Sequence, residues 1–214
     1  MDTYKPSQRY HEVTWMLIHS EDLEKKARRQ FDTSKIIYCC LELRNAIEML
    51  DFHLIIASVP TSEHHVIAEI AKPYHGNDKA NNKFKSLKEK TQKFYECVCE
   101  ELGIPGKFYD YKKSNELKSE LSQYVHTYTK TPKEMEFDSP FIKAAFTIIE
   151  AAREFMKASL IYDGESYIVQ NLDFTTLAME DKELLQEWKQ DKIDEDTLRN
   201  KIIANVNARQ NNRC

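Results

Sequence analysis

Apolar residues recur along this chain at spacings of three and four, so its periodic segments read as helices almost end to end. Tyr10 to Arg29 predicts a first helix, with Val13, Leu17, Ile18 and Leu23 on one side and a charged end from Glu21 to Arg29. Asp32-Thr33-Ser34 supplies N-cap candidates for a second helix, Lys35 to Ser58, closed by the Val59-Pro60 junction. Ile36, Cys40, Leu43, Ile47, Leu50 and Leu54 define a buried stripe on it, and Ile37, Leu41, Phe52, Ile55 and Ile56 add a second apolar side. A helix apolar on most of its circumference belongs at the centre of a bundle.

The remaining pattern continues in the same way. Thr61-Ser62 caps a short helix through Ala71, and the segment Pro73 to Asn82 is a loop by composition. A long helix, Asn82 to Leu102, is stopped by Gly103-Ile104-Pro105-Gly106. Ser114-Asn115 caps Glu116 to Thr127, and Thr131-Pro132 interrupts the chain. Asp138-Ser139-Pro140 opens a helix to about Tyr162, its apolar face formed by Phe141, Ala145, Ile148, Ile149, Ala152, Phe155 and Met156, with Asp163-Gly164 as its end. Ser166 to Phe174 is the one extended stretch, followed by polar helices Glu180 to Gln190 and Asp194 to Val206 and a fraying NARQNNRC tail. No internal repeat is present. The expected fold is all-α: an antiparallel helical bundle of four to five long helices over residues 1–165, with residues 166–214 packing on it as an extended segment plus C-terminal helices rather than as an independent domain.

Composition agrees with the periodicity. The chain has 4 Gly and 6 Pro in 214 residues, well under the roughly 12% of average usage, and too few for the frequent turns of a β-sandwich or barrel. At 41% hydrophobic residues it can build a substantial core. A net charge of −4 gives no global basic footprint for nucleic acid. The longest apolar-rich stretch, Ile36 to Val59, is broken by Glu42, Arg44, Glu48 and Asp51, so no membrane span is expected. The opening MDTYKPSQRYHEV lacks the pattern of a secretion signal, and a cytoplasmic location follows. Of five cysteines, Cys39, Cys40, Cys97 and Cys99 fall inside apolar helical patterns. Adjacent helical positions point about 100° apart, so buried free thiols are expected rather than a zinc site.

Phosphate loops, nucleophile elbows and zinc-protease motifs are absent, and no Glu-x-x-His occurs to build a carboxylate-bridged metal pair. Neither cofactor nor metal is expected. His11, His19, His64, His65 and His75 read as solvated, and His53 lies near the end of the central helix. His126 is placed at a helix end among Tyr124, Tyr128 and Lys130, where it either caps the helix as imidazolium or takes part in a site. Arg44, Glu48 and Asp51 fall within about 60° of one another on the central helix. Arg44 either pairs with Glu48 at the edge of the core or faces a cleft where it holds a phosphate bidentately.

The run YCCLELRNAIEMLDFHLI, with the amphipathic helix before it, resembles an early helix of the HEPN superfamily of helical bundles, and the similarity covers about residues 9–162. That superfamily includes nucleotide-binding and RNA-cleaving domains of toxin–antitoxin and phage-defence systems. The resemblance rests on an all-α bundle of suitable length, the Arg44-Asn45 dipeptide on a helix and a His in a later helix. Its ribonucleases carry Arg-x4–6-His on one helix, whereas here Met49, Leu50 and Asp51 stand where that His would fall. His53 is nine positions from Arg44 and on the opposite side of the helix. Counting back from His126, the Arg positions hold Ser119, Glu120 and Leu121.

Three functions are consistent with this reading. The first is a binding or regulatory homodimer without catalytic activity, taking a partner protein, RNA or a nucleotide through Asn45, Tyr124, Tyr128 and Lys130. The second, implied by the resemblance, is a metal-independent ribonuclease or nucleotide-binding toxin. In it Arg44, Glu48 and His126 form a split site, with His126 as base on a ribose hydroxyl and Arg44 stabilising the phosphorane. The third is a nucleic-acid binder using the lysines between Lys79 and Lys93, of which Lys79, Lys83 and Lys90 lie on one helical side.

Overall fold

A computed structural model describes residues 12–66, 78–103, 109–162, 167–169 and 177–211. The chain is an all-α helical bundle, as its periodicity predicts. Its helices are α1 (Val13–Gln30), α2 (Thr33–Ala57), α3 (Asp78–Leu102), α4 (Tyr111–Val125), α5 (Pro140–Ala158), α6 (Met179–Lys189) and α7 (Glu195–Asn211). Single 3-10 turns at Thr61–Glu63 and Thr127–Thr129 punctuate the connections. No described helix is long and apolar enough to cross a membrane.

Contacts sort the chain into two compact units, each discontinuous in sequence. The first comprises residues Met1–Asp51 and Lys112–Gln170, the second Phe52–Tyr111 and Asn171–Cys214. The edges of this division fall inside α2, at the start of α4 and after Gln170.

In the first unit α2 buries Ile36, Cys39, Cys40, Leu43, Ala46, Ile47 and Leu50, while α5 buries Ile142, Ala145, Ile149, Ala152 and Met156. Spacings of three and four keep each set on one side of its helix. In the second unit Phe94, Tyr95, Cys97 and Val98 of α3 share a core with Leu184 and Leu185 of α6 and Leu198, Ile202 and Val206 of α7. The C-terminal helices are therefore part of a core with α3. Trp188 ties α6 to α3 by donating its indole N–H to the Lys90 carbonyl at 2.8 Å.

Helix ends follow local chemistry. Ser139 caps α5, its hydroxyl accepting the Ile142 N–H at 3.2 Å, with Pro140 in the first turn. Gly103 takes φ 60° just after α3, a conformation glycine adopts without a Cβ penalty. Asp32 accepts the Ser34 N–H at 3.0 Å and its hydroxyl at 2.6 Å where α2 begins. The Lys35 ammonium and that hydroxyl hold the Asp32 carboxyl down to about 2.

Four expected boundaries move by four residues or more. The long helix α3 starts at Asp78, four residues before Asn82. Helix α4 starts at Tyr111 instead of Glu116, because the Gln92 side-chain carbonyl accepts the Tyr111 N–H at 3.0 Å and Ser114 is drawn elsewhere. Helix α5 ends at Ala158, and Leu160–Tyr162 pairs antiparallel with Tyr167–Val169, Ile161 opposite Ile168. The helix expected to reach Tyr162 therefore gives way to a short hairpin of β-branched and aromatic residues. Helix α7 runs past Val206 to Asn211, so most of the expected frayed tail is helical. The Asp163-Gly164 stop and the expected helix beyond Val66 lie outside the described residues.

Burial ranks the helical positions by consequence. Leu43→Ala, at a site with no exposure, is expected to lower unfolding free energy by about 2–5 kcal/mol. Ile203→Ala, on the outer side of α7, should change it by less than about 0.5 kcal/mol. Urea titrations followed by circular dichroism check both.

Candidate functional site

The sequence-selected residues occupy two places in the first unit. Arg44, Asn45 and Glu48 lie on the outward side of α2, where Arg44 Nη2 meets Glu48 Oε1 at 3.0 Å across one helical turn. Asn45 beside them is half-buried. Pairing with Glu48 compensates the guanidinium charge that phosphate recognition would use. The outward side of α2 also carries Ile37, Tyr38, Leu41 and Met49, all exposed or half-buried. Tyr38 is 57% exposed.

Tyr124, His126, Tyr128 and Lys130 lie where α4 passes into the connection to α5. Tyr124 is buried against Phe141, with ring centres 4.8 Å apart, and burial raises its hydroxyl pKa. Lys130 holds its ammonium 4.5 Å above the same Phe141 ring and pairs with Glu134 at 3.3 Å. His126 follows the last residue of α4, its backbone N–H donating to the Ser122 carbonyl at 3.1 Å. Its ring stands edge-on to Tyr128 at 6.5 Å. Tyr128 is 87% exposed. The structure thus brings Tyr124 and Lys130 together through Phe141 and sets His126 beside Tyr128. No hydrogen bond, ion pair or ring contact among the described residues joins Arg44 to His126.

Asp51, grouped with Arg44 and Glu48 by the helical wheel, turns inward. It is 1% exposed and accepts the Ser114 hydroxyl at 2.6 Å on one oxygen and the Lys118 ammonium at 2.5 Å on the other. Ser114, read as a cap, sits within the first turn of α4 and serves this carboxylate. The triad pins α4 to α2 with a buried charge that is paired and hydrogen-bonded, as burial requires. Its sequence signal is phase: Asp51 stands four residues after the buried Ile47, on the stripe side.

A second polar cluster went unread in the sequence. Glu42, also in phase with buried positions, is 6% exposed. His19 Nδ1 stands 3.9 Å from it, and the His19 ring packs on Trp15 at 4.6 Å, so His19 is a half-buried interior group, not a solvated one. Nearby, Arg153 of α5 donates to Glu24 of α1 at 2.5 Å, and Arg28 binds the same carboxylate at 2.7 Å. Burial pushes the Glu24 carboxyl up, but the hydrogen bonds from Arg153 and Arg28 outweigh it and leave the carboxyl below its usual range. Cys39 gives its thiol hydrogen to the Ser20 carbonyl at 3.2 Å. Burial drives the Cys40 thiol up to about 12, and Cys39, Cys40, Cys97 and Cys99 are free thiols. No group of metal-ligating side chains is present among the described residues.

Of the lysines of the third reading, Lys90 and Lys93 are engaged within the second unit. Lys90 bonds Asp191 at 2.5 Å and the Lys189 carbonyl at 3.1 Å, and Lys93 pairs with Glu195 at 2.8 Å. Lys88 is buried, 5.7 Å from the Tyr111 ring. Lys90 and Lys93 anchor α3 to the α6–α7 region, and with Lys88 buried no free basic face is left among these three. The side chains of Lys79 and Lys83 lie outside the described residues.

Lys189 of α6 is a cation held against neutral oxygens. Its Nζ donates to the Ser58 carbonyl at 2.6 Å and the Ser58 hydroxyl at 3.0 Å, beside the end of α2. Both contacts are to neutral oxygens, and burial lowers the Lys189 pKa to about 7. No family model, curated protein or solved structure matches this chain.

That lysine sets a pH dependence. The unfolded chain holds the Lys189 proton to about pH 10.4, while the folded chain releases it near 7. Between these values the unfolded state binds more protons, so this group makes stability rise with pH. Below 7 both states are protonated, and the full cost of burying the ammonium applies. Buried thiols oppose the trend at higher pH, because their raised pKa values disfavour folding once the unfolded thiols ionise. From pH 7 to about 8.5, Lys189→Met is expected to flatten the rise in thermal midpoint shown by the parent; calorimetry across that window checks it.

Proposed function

We propose that this protein is a HEPN-like helical-bundle protein acting as a non-catalytic binding or regulatory homodimer. The observation that carries this reading is the outward side of α2. On the helix with the deepest apolar stripe, Ile37, Tyr38, Leu41 and Met49 remain exposed or half-buried at helical spacing. Single exposed apolar residues need no explanation; a stripe of them on one helix marks an association surface. Asn45 lies within the stripe, and a polar residue in an apolar helical seam specifies register between paired helices.

The absence of catalysis is supported by the engagement of Arg44 with Glu48 and by the lack of contact between Arg44 and His126. The Tyr124–His126–Tyr128–Lys130 region offers the exposed Tyr128 ring to a partner protein, RNA or nucleotide. The resemblance of the Arg44-Asn45 helix to HEPN domains supplies the link to toxin–antitoxin or phage-defence systems.

Light scattering coupled to size exclusion is expected to give a dimer for the parent and a monomer of unchanged helicity for Leu41→Glu. A monomeric parent overturns the homodimer. Expression of the parent, Arg44→Ala and His126→Ala should leave growth and cellular RNA alike in all three. RNA loss with the parent alone would instead establish the metal-independent ribonuclease built on Arg44, Glu48 and His126.

A further inference from the structure

Phe31 occupies the turn between α1 and α2 with φ 52° and ψ 40°, in the left-handed region. Glycine or asparagine is the usual residue at such a helix end; a bulky side chain there is strained. Phe31 is also 71% exposed. A large ring held in a strained backbone and turned to solvent serves neither the turn nor the core, and such strain points to function.

The ring is nevertheless braced. It packs edge-on against Phe137 at 5.2 Å, and Phe137 packs edge-on against Phe146 at 5.7 Å. The Arg28 guanidinium covers Phe146 at 3.8 Å and is itself paired with Glu24. This makes a preorganised aromatic platform at one end of the first unit. Its flanks carry opposite charge: exposed Arg29 beside Phe31, and exposed Glu136 and Asp138 on either side of Phe137 in sequence. None of these three side chains has a partner among the described residues.

We propose that this platform is a self-association surface occupied by the Phe31 platform of a second copy of the chain. A two-fold interface must be self-complementary, residue i meeting j while j meets i. Here the two Phe31 rings meet near the axis, and Arg29 of each copy faces Glu136 and Asp138 of the other. A platform of one charge sign would favour a different partner; the mixed flanks favour the chain itself. The proposal rests on the homodimer reading and extends its interface. Tyr38 lies about 8 Å along α2 from Thr33, and an interface of roughly 800 Å² per partner is wide enough to include both.

The test is sedimentation equilibrium of the full chain, comparing the parent with Phe31→Gly, Phe31→Asn and Arg29→Glu. Each substitution is expected to raise the dimer dissociation constant at least about tenfold. Thermal midpoints measured in the Leu41→Glu background should not fall for Phe31→Gly or Phe31→Asn, since either residue accepts the left-handed turn. Combining Arg29→Glu with Glu136→Lys and Asp138→Lys should restore dimerisation. A parent that is monomeric removes the homodimer reading itself. A parent dimer lost in Leu41→Glu but as tight in Phe31→Gly overturns this inference alone, as does a charge swap that restores nothing.

Discussion

Burial of α2 is the constraint on which the first unit depends. Ile36, Cys39, Cys40, Leu43, Ala46, Ile47 and Leu50 lose nearly all contact with water, and removing the apolar area of this stripe from water contributes roughly 25 cal/mol per Å². Burying it also draws in polar groups. Glu42 and Asp51 share the stripe's phase and go inside with it, so each must find partners there. Asp51 takes Ser114 and Lys118 of α4, and Glu42 faces His19 of α1. The carboxylates that interrupt the apolar pattern thereby help decide which helices lie against α2. A displaced α4 would leave Asp51 charged and unpaired in the interior.

The second unit solves a similar problem with cations. Helix α3 is rich in lysine, yet Lys90 and Lys93 bind residues at the α6–α7 turn and the start of α7, and Lys88 is buried. Their charges are used in assembly and cease to be a general anion-binding face. Lys189 differs from them. It caps backbone and side-chain oxygens of Ser58 without a carboxylate contact, so desolvation dominates its titration.

Function in this molecule is legible mainly as surplus. Tyr38 and Phe31 are apolar groups that folding leaves uncovered, and Phe31 retains backbone strain a glycine would remove. Arg44 and His126, by contrast, are each accounted for by neighbours one helical turn or two residues away. The proposed dimer would cover the uncovered Tyr38 and Phe31.

The sequence by itself determined the all-α class, the buried stripe of α2, the Ser139 cap of α5 and the Gly103 stop, and it offered the Arg44–Glu48 pair as one of two alternatives. Each rests on residues within one or two helical turns, where periodicity and capping act directly. Only the tertiary structure decided that Asp51 turns inward, that Ser114 serves it instead of capping, that His19 is interior and that Lys90 and Lys93 of α3 are paired. It also decided that Leu160–Tyr162 leaves the helix for a hairpin. Except in that hairpin, the partner lies far along the chain, as Ser114 and Lys118 do from Asp51 and Asp191 does from Lys90. A helical wheel gives the direction of a side chain but not what stands there, and a charge's role is set by whatever is packed against it.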